Sequence, residues 1–414
     1  MKAKRQRALF TYGCAVVLVG LVSPVVCEAA EDEHDPFDIW VADRFALDDN
    51  LYRLPDDLDP QLSPAPDGRR GDYVNRLSAG LDASWDLSRQ AVKLNLRMDQ
   101  NRFARNDHLD NTSGNAKAEW AWRLGSNWKG DVGADYARSL AGFANTRFRE
   151  RDVLETTGAF WSTSFTAGRW TLRGAARQSE TEHGAATRQF DNSQTRSGSF
   201  GIQYTTPSEN TFGLDYRYSK ASFDRPALLN DQLFDRNYEE NTAGVRVGYA
   251  LGPKTTLKAS GGYLKRKYPD AVVSGIPKGS FEGGVWEAAL QWQPTIKLGM
   301  ELGGWRKLRA YLDAESDYFV AQGYSIAPVW NPTNRLRVTF EASYEQQDYL
   351  GSSVNLLVPD SRHDRVRGGE LSVTYRAWRM VHFDLSGRME RRDSDRNQLQ
   401  YDSRIASFSV RLTF

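Results

Sequence analysis

The chain ends in an unbroken alternation. Ala406, Phe408, Val410, Leu412 and Phe414 fall on one side of an extended strand, and Ser407, Ser409, Arg411 and Thr413 fall on the other. Successive side chains of a strand point to opposite faces, so one face here is apolar and the other polar. The pattern runs to the final residue, which is itself aromatic. A carboxyl terminus tied this firmly into a strand belongs in a sheet with a greasy face and a wet face.

The amino terminus says where such a sheet works. Lys2, Lys4, Arg5 and Arg7 precede an apolar run from Ala8 to Val26 broken by Gly13, Gly20 and Pro24, with Cys27-Glu28-Ala29 offering a small-x-small cleavage site before Ala30. A positive head and a short apolar centre make a secretory signal over residues 1–29. A membrane anchor is the alternative, and Pro24 and the short run argue against it. A lipoprotein is disfavoured because Val26 precedes Cys27. Cleavage removes Cys14 and Cys27, leaving residues 30–414 without thiols or disulfides. Taking the leader's four basic residues and one acidic residue from totals of 54 and 53 leaves a net charge of −2. That balance gives no support for nucleic-acid binding.

After the leader, no stretch approaches the ~20 apolar residues a spanning helix needs. Charged residues make up 26% and mean hydropathy is −0.61, yet aromatics reach 12%, with 12 Trp and 18 Tyr. A wall of strands reconciles these numbers, because only alternate residues meet lipid. The alternation recurs along the chain. Tyr73, Leu77, Ala79, Leu81, Ala83, Trp85 and Leu87 oppose Arg76, Ser78, Asp82, Ser84 and Asp86; Leu336, Val338, Phe340, Ala342 and Tyr344 oppose Arg335, Arg337, Thr339, Glu341 and Ser343. Similar runs surround Leu94, Trp120, Leu172 and Leu214. At about 10 to 14 residues each, they suit tilted strands that cross a bilayer.

Short turns are expected at Ser88-Arg89-Gln90, Gly125-Ser126-Asn127, Ala167-Gly168, Pro207-Ser208-Glu209, Gly252-Pro253-Lys254, Pro294-Thr295, Pro332-Thr333 and Ala377-Trp378-Arg379. Several contain Pro, which cannot donate to a strand ladder. Longer polar connections alternate with them: Arg53 to Gly71, Arg105 to Gly114, Thr181 to Gln194, Asp224 to Asn237, Pro269 to Gly279, Gly351 to Asp364 and Asp393 to Leu399. Short turns at one end and long loops at the other, with aromatic residues near strand ends, are the marks of an outer-membrane barrel. The fold class is therefore all-β, a transmembrane antiparallel up-and-down barrel in one domain. Eight turns imply about 18 strands, with 16 as the alternative because Arg309 to Asp317 lacks punctuation.

Little in this frame suggests catalysis. His34, His108, His183, His363 and His382 form no metal-ligand spacing. Alternation puts His382, Asp384 and Ser386 on one strand face, where they could seed a hydrolase, although any polar lumen supplies such trios. Asp48-Asp49-Asn50 with Asp56-Asp57 could hold a hard cation at a loop, or simply be solvated. No cofactor is implied. The expected site is the lumen, with Arg97, Arg123, Arg169, Arg173, Arg177, Arg217, Arg246, Arg335, Arg337, Arg376 and Arg388 facing inward. Lys93, Lys117, Asp82, Asp99, Glu119, Asp215, Glu341 and Asp384 are interspersed with them. Guanidinium forks could guide an anionic or polar glycan, or the charges could pair off and brace the interior.

Asp48-Asp49-Asn50-Leu51-Tyr52-Arg53-Leu54-Pro55 resembles the opening signature of EpsL-type outer-membrane proteins, and the Trp-x-Pro-Thr turns at Trp292 and Trp330 are similar to that family. Those proteins are encoded with exopolysaccharide machinery and are grouped with β-barrel porins of the same architecture. The resemblance implies a non-enzymatic outer-membrane barrel assisting polysaccharide export. Its partners would be outer-membrane lipid, a polar glycan and, through the Phe414 strand, the barrel-assembly machinery. A general or sugar-type diffusion porin is the alternative. An outer-membrane enzyme near His382 and a plugged adhesin are further readings.

Overall fold

The computed structural model describes residues 36–414, apart from 58–67, 146–148, 225–226, 230–231, 235, 270–271, 274–275, 278–279, 314–315 and 353–361. The expected leader and Pro60, Pro64 and Pro66 lie outside the described residues. Eighteen strands form one antiparallel sheet: β1 Phe37–Asp48, β2 Asp72–Leu87, β3 Gln90–Phe103, β4 Asn111–Leu124, β5 Trp128–Leu140, β6 Val153–Ala167, β7 Trp170–His183, β8 Ser193–Thr205, β9 Thr211–Phe223, β10 Tyr238–Gly252, β11 Thr255–Lys267, β12 Phe281–Trp292, β13 Leu298–Asp313, β14 Ser316–Thr333, β15 Leu336–Ser352, β16 Arg362–Arg376, β17 Val381–Ser394 and β18 Tyr401–Thr413.

Each strand pairs with its neighbours in sequence, and β1 also pairs with β18, from Trp40 opposite Thr413 to Asp48 opposite Ile405. The sheet thus closes on itself into a barrel. Closure is required in hydrocarbon, where an unpaired peptide group costs several kcal/mol. Phe414 completes the seam, its N–H donating to the Ile39 carbonyl at 2.8 Å.

The alternation sorts the side chains as the sequence implies. Ile39, Val41, Phe45, Leu77, Leu96, Leu214, Val245, Ile326, Phe340, Leu385 and Phe408 stand exposed on the outer face. Trp128, Trp170, Tyr249, Trp292 and Trp330 crown it at the turn end, the position amphipathic rings take among headgroups.

Three connections differ from expectation. Residues 141–152 form a long loop between β5 and β6 that carries a short 3₁₀ turn, Phe143–Asn145. Its opening Ala-Gly-Phe-Ala lacks the polar bias that marks other loops. The unpunctuated stretch near residue 313 proves to be the tip of a long hairpin, with strands of 16 and 18 residues. The expected turn at Pro332-Thr333 also shifts, because β14 runs to Thr333 and the turn falls at Asn334-Arg335.

That hairpin bends inward. β12 and β13 pair only from Trp286 opposite Arg306 to Trp292 opposite Met300. Beyond Arg306, Leu308, Tyr318 and Val320 have the register of outward residues. Instead they pack with Leu264, Tyr268, Phe281 and Val285 from β11, β12 and the loop after β11. The Phe281 and Tyr318 rings lie 5.0 Å apart. On the hairpin's other face, Phe319 and Ala321 pack against Tyr349. Both faces of this piece of wall are buried, so it narrows the mouth.

Candidate translocation path

The loop end of the barrel is capped by a plug built around the motif at residues 48–55. Asp48 accepts the Asn50 N–H (3.0 Å) and the Arg53 guanidinium (2.9 Å). Arg53 adopts a left-handed backbone, φ 55°, unusual for a non-glycine residue. The Asn50 side-chain amide donates to the Leu54 and Asp402 carbonyls, both at 2.8 Å, and accepts from the Leu54 N–H at 2.8 Å. These bonds turn the chain back over β18 and drive Tyr52 and Leu54 to zero exposure.

Around Tyr52 and Leu54 gather Phe103, Leu109 and Phe143, drawn from β3 and the next two long loops. The Tyr52 hydroxyl donates to Asn106 Oδ1 at 2.9 Å, and the Asn106 amide donates to the buried Asp72 carboxylate at 2.8 Å. Burial, with Asp72 nearby, pushes the Tyr52 hydroxyl up to about 12, so it stays a donor at physiological pH. Arg392 of β17 donates to the Ala144 carbonyl and so ties the third long loop, 141–152, to the far side of the β1–β18 seam.

Three of the four carboxylates considered for a cation are taken up by protein donors. Asp48 holds Arg53, Asp49 accepts the Arg404 N–H at 2.6 Å, and Asp56 pairs with Arg70 at 2.9 Å.

Two further ionic clusters brace the mouth. Asp191, fully buried, sits between Arg188 (2.8 Å) and Arg236 (2.7 Å), and Arg236 lies 4.5 Å over the Phe223 ring. Asp364, also fully buried, pairs with Arg362 and approaches Arg392 at 3.7 Å, while Arg362 stacks 3.9 Å over Tyr349. Desolvated charges survive only when paired in this way.

Further down, the expected inward arginines divide into four groups. Arg173 and Arg246 share Asp215, at 3.1 and 3.3 Å; Arg177 grips Asp135 through two bonds of 2.7 and 2.8 Å; Arg97 pairs with Asp99 at 2.9 Å and Arg388 with Glu390 at 2.7 Å. Arg123, Arg217 and Arg337 lie in strands, and no ion pair involving them occurs among the described residues; Arg217 reaches Ser197 Oγ at 3.5 Å. Arg376 is the last residue of β16, opposite His382.

Arg169 and Arg335 depart from expectation. They occupy the turns after β6 and β14 rather than strand positions, because each hairpin needs those residues to reverse. Arg169 donates to the Tyr204 hydroxyl at 3.4 Å, at the rim.

The face also carries residues outside the expected set. Arg44 and Arg76 stand directly opposite each other on β1 and β2. Arg44 donates to Ser407 Oγ at 3.0 Å and Arg76 to Asn101 Oδ1 at 2.7 Å. Arg411 stacks 4.4 Å over Trp40, whose other guanidinium neighbour is Arg97 at 5.8 Å. Trp40 can lie flat against the wall because it faces Gly80, where an added Cβ would meet the indole at 2.3 Å. Among the described residues, none of Arg44, Arg76 and Arg411 forms an ion pair. With Arg97 they make a basic arc across β18, β1, β2 and β3.

A few strands away, Glu341 and Glu370 stand directly opposite each other on β15 and β16, with Glu301 within electrostatic range. Like charges directly opposed cost stability, up to about 1 kcal/mol per pair. Asp38 and Asp82 also stand opposite each other on β1 and β2, so like-charge pairs of both signs line this face at a cost to folding. The alternation exposes Arg44, Arg76 and Arg411 as polar-face residues; only their want of a carboxylate among the described residues required the structure.

The trio at β17 does not assemble a relay. Asp384 accepts from Thr374 (2.6 Å) and Ser409 (3.4 Å), Ser386 bonds Ser407 at 2.8 Å, and His382 faces Arg376 and Arg411.

A family model described as "Putative beta-barrel porin 2" matches residues 57–414. The chain belongs to this family. The protein is therefore a porin-like barrel of the outer membrane, in a family of channels rather than of enzymes. OccK2 (OpdF) of Pseudomonas aeruginosa shares its fold, with a TM-score of 0.52, 14% identity, and coverage of 92% of this chain and 98% of that one. A BenF-like porin from Pseudomonas fluorescens aligns with a TM-score of 0.48 and 12% identity over 91% and 98% of the two chains. No curated protein matches the chain.

Proposed function

We propose that this barrel is a diffusion porin for small hydrophilic solutes that carry a carboxylate or a phosphate. The basic arc carries the reading: Arg44, Arg76, Arg97 and Arg411 line four adjoining strands, and among the described residues only Arg97 is ion-paired with a carboxylate. Guanidinium forks without a resident anion can lend donors to a passing one, and the acidic wall nearby keeps binding weak enough for release. The plug favours small solutes over a polymer, since three loops and an in-bent hairpin crowd the mouth. That crowding ranks diffusion ahead of the polysaccharide export implied by the resemblance at residues 48–55. Here that motif serves to pin the plug. Phe414, hydrogen-bonded into the closing seam, remains the proposed point of recognition for assembly machinery.

Swelling of liposomes containing the barrel tests the reading. A hexose and its sugar acid, matched in size, should both enter, the acid faster, while a polysaccharide should be excluded. Equal rates for the two would remove the anion preference, and passage of the polymer would restore the export reading.

A further inference from the structure

The ladder between β12 and β13 is the shortest in the sheet, and it stops at Trp286 opposite Arg306. Above that rung, residues 281–285 of β12 pair with β11 alone, and residues 307–310 of β13 pair with β14 alone. Among the described residues, two strand edges therefore stand bare in the wall, and a bare edge is a template for pairing. Side chains cross the foot of the gap in place of peptide groups. Arg306 Nε donates to the Gly284 carbonyl at 3.1 Å, and Lys307 pairs with Glu287 at 3.0 Å.

The hairpin β13–β14 hangs on the barrel by its other side. β14 pairs with β15 from Ser316 opposite Ser352 to Thr333 opposite Leu336, so β13 is the free side of a leaf. The leaf bends where glycine lets rings come close. A Cβ on Gly304 would meet the Trp286 ring at 3.1 Å, and one on Gly323 would meet the Trp305 indole at 2.7 Å.

Two opposed forces act on this leaf. Folded in, it packs Leu308, Tyr318 and Val320 against Leu264, Tyr268 and Phe281. Swung out, it would lose that burial, because the outward residues beside it on β15 are Gln346 and Asp348. Both bare edges would then gain peptide partners. Continuing the register of Trp286 opposite Arg306 would set Val285 against Lys307, Gly284 against Leu308 and Gly283 against Arg309.

We propose that β13–β14 is a gating leaf of the diffusion path. It rests folded in, and it visits a second position in the wall where Gly284 faces Leu308 and the mouth is wider. The leaf acts on the path proposed above and so depends on that reading. Two packings of one segment, close in free energy, make a bistable element.

The chain has no cysteine after Cys27, so an introduced pair can be followed without interference. Gly284→Cys with Leu308→Cys puts thiols on facing rungs of the swung-out ladder, within disulfide reach. A Cβ at 284 meets nothing within 4 Å, so the barrel should accept it. In planar bilayers, single-channel records of the wild-type barrel should show brief visits to a larger level, filling roughly 0.1–10% of the time as a minor conformer does. Oxidation of the double variant should form the bridge, read as loss of maleimide labelling, and hold the channel at the larger level until reductant is added. Tyr318→Ala, which removes a ring from the inward packing and leaves the ladders intact, should lengthen the visits. Thiols that stay free under oxidant in a folded, heat-modifiable barrel would overturn the leaf, as would a bridge that leaves conductance unchanged. A bridged channel that widens without preferring chloride would support the leaf and count against the anion preference alone.

Discussion

The mouth of this barrel and its middle use the same side chain to opposite ends. At the loop end, Arg236, Arg362 and Arg392 are buried; Arg236 and Arg362 are paired with carboxylates and stacked on rings, and Arg392 is held by Asp364 and the Ala144 carbonyl. In the middle, Arg44, Arg76 and Arg411 are held by neutral partners or by one indole. The first set is expensive to break because removing one partner strands a charge away from water. The second set is cheap to alter, and its unspent donors face the channel. Pairing, not residue type, separates an arginine that builds from an arginine that selects.

The contrast can be tested from both sides. Tyr52→Ala should have the largest effect, because loss of a buried aromatic costs on the order of 3–5 kcal/mol. The plug alone should absorb that loss, so single-channel conductance rises and grows noisy while the strands keep their thermal midpoint. Arg362→Ala should follow, leaving Asp364 buried without its main partner at a cost of about 3–5 kcal/mol. Its thermal midpoint should fall with ion selectivity unchanged. Arg44→Gln should do the reverse. It relieves the opposition with Arg76, gaining up to about 1 kcal/mol, and it should shift the zero-current potential toward cations.

The smallest effect concerns pH. Asp152, in the third long loop, binds His183 at 2.7 Å and the Ala185 N–H at 3.1 Å. Burial alone would raise its carboxyl, but the His183 and Ala185 bonds hold it below the usual 3.8. A depressed carboxylate stabilises fully above its unfolded value and ceases to do so as pH falls through its folded one. Current noise from this loop should therefore be flat above pH 3.8 and increase below it. An increase between pH 5 and 7 would assign the latch to another group.

The fold was legible because lipid and water divide the strands residue by residue, and that period survives in every run from Leu77 to Phe414. The count of strands was legible where Pro or Gly breaks the pattern, as at Pro207 and Gly168. It blurred at residues 309–317, where the sequence carries no Pro or Gly to mark a hairpin tip. The candidate path was legible as a face but not as a network. Spacing places Arg173, Arg246 and Asp215 on one side of the sheet, yet only the register of β7 to β10 shows that Asp215 serves both arginines. Arg44 and Arg411 are separated by nearly the whole chain, and only the β1–β18 seam makes them neighbours. The plug was hidden for a related reason: Asn50, Tyr52 and Leu54 read as an exposed loop until three other segments arrive to bury them.

The zero-current potential of the wild-type barrel in a planar bilayer under a potassium chloride gradient goes most directly to the central claim, that the partner-poor arginines of the basic arc govern what passes. Ohmic steps with a preference for chloride, reduced in Arg44→Gln with Arg411→Gln, are the expected result. A preference for potassium, or a membrane that stays silent even with Tyr52→Ala, would contradict the account.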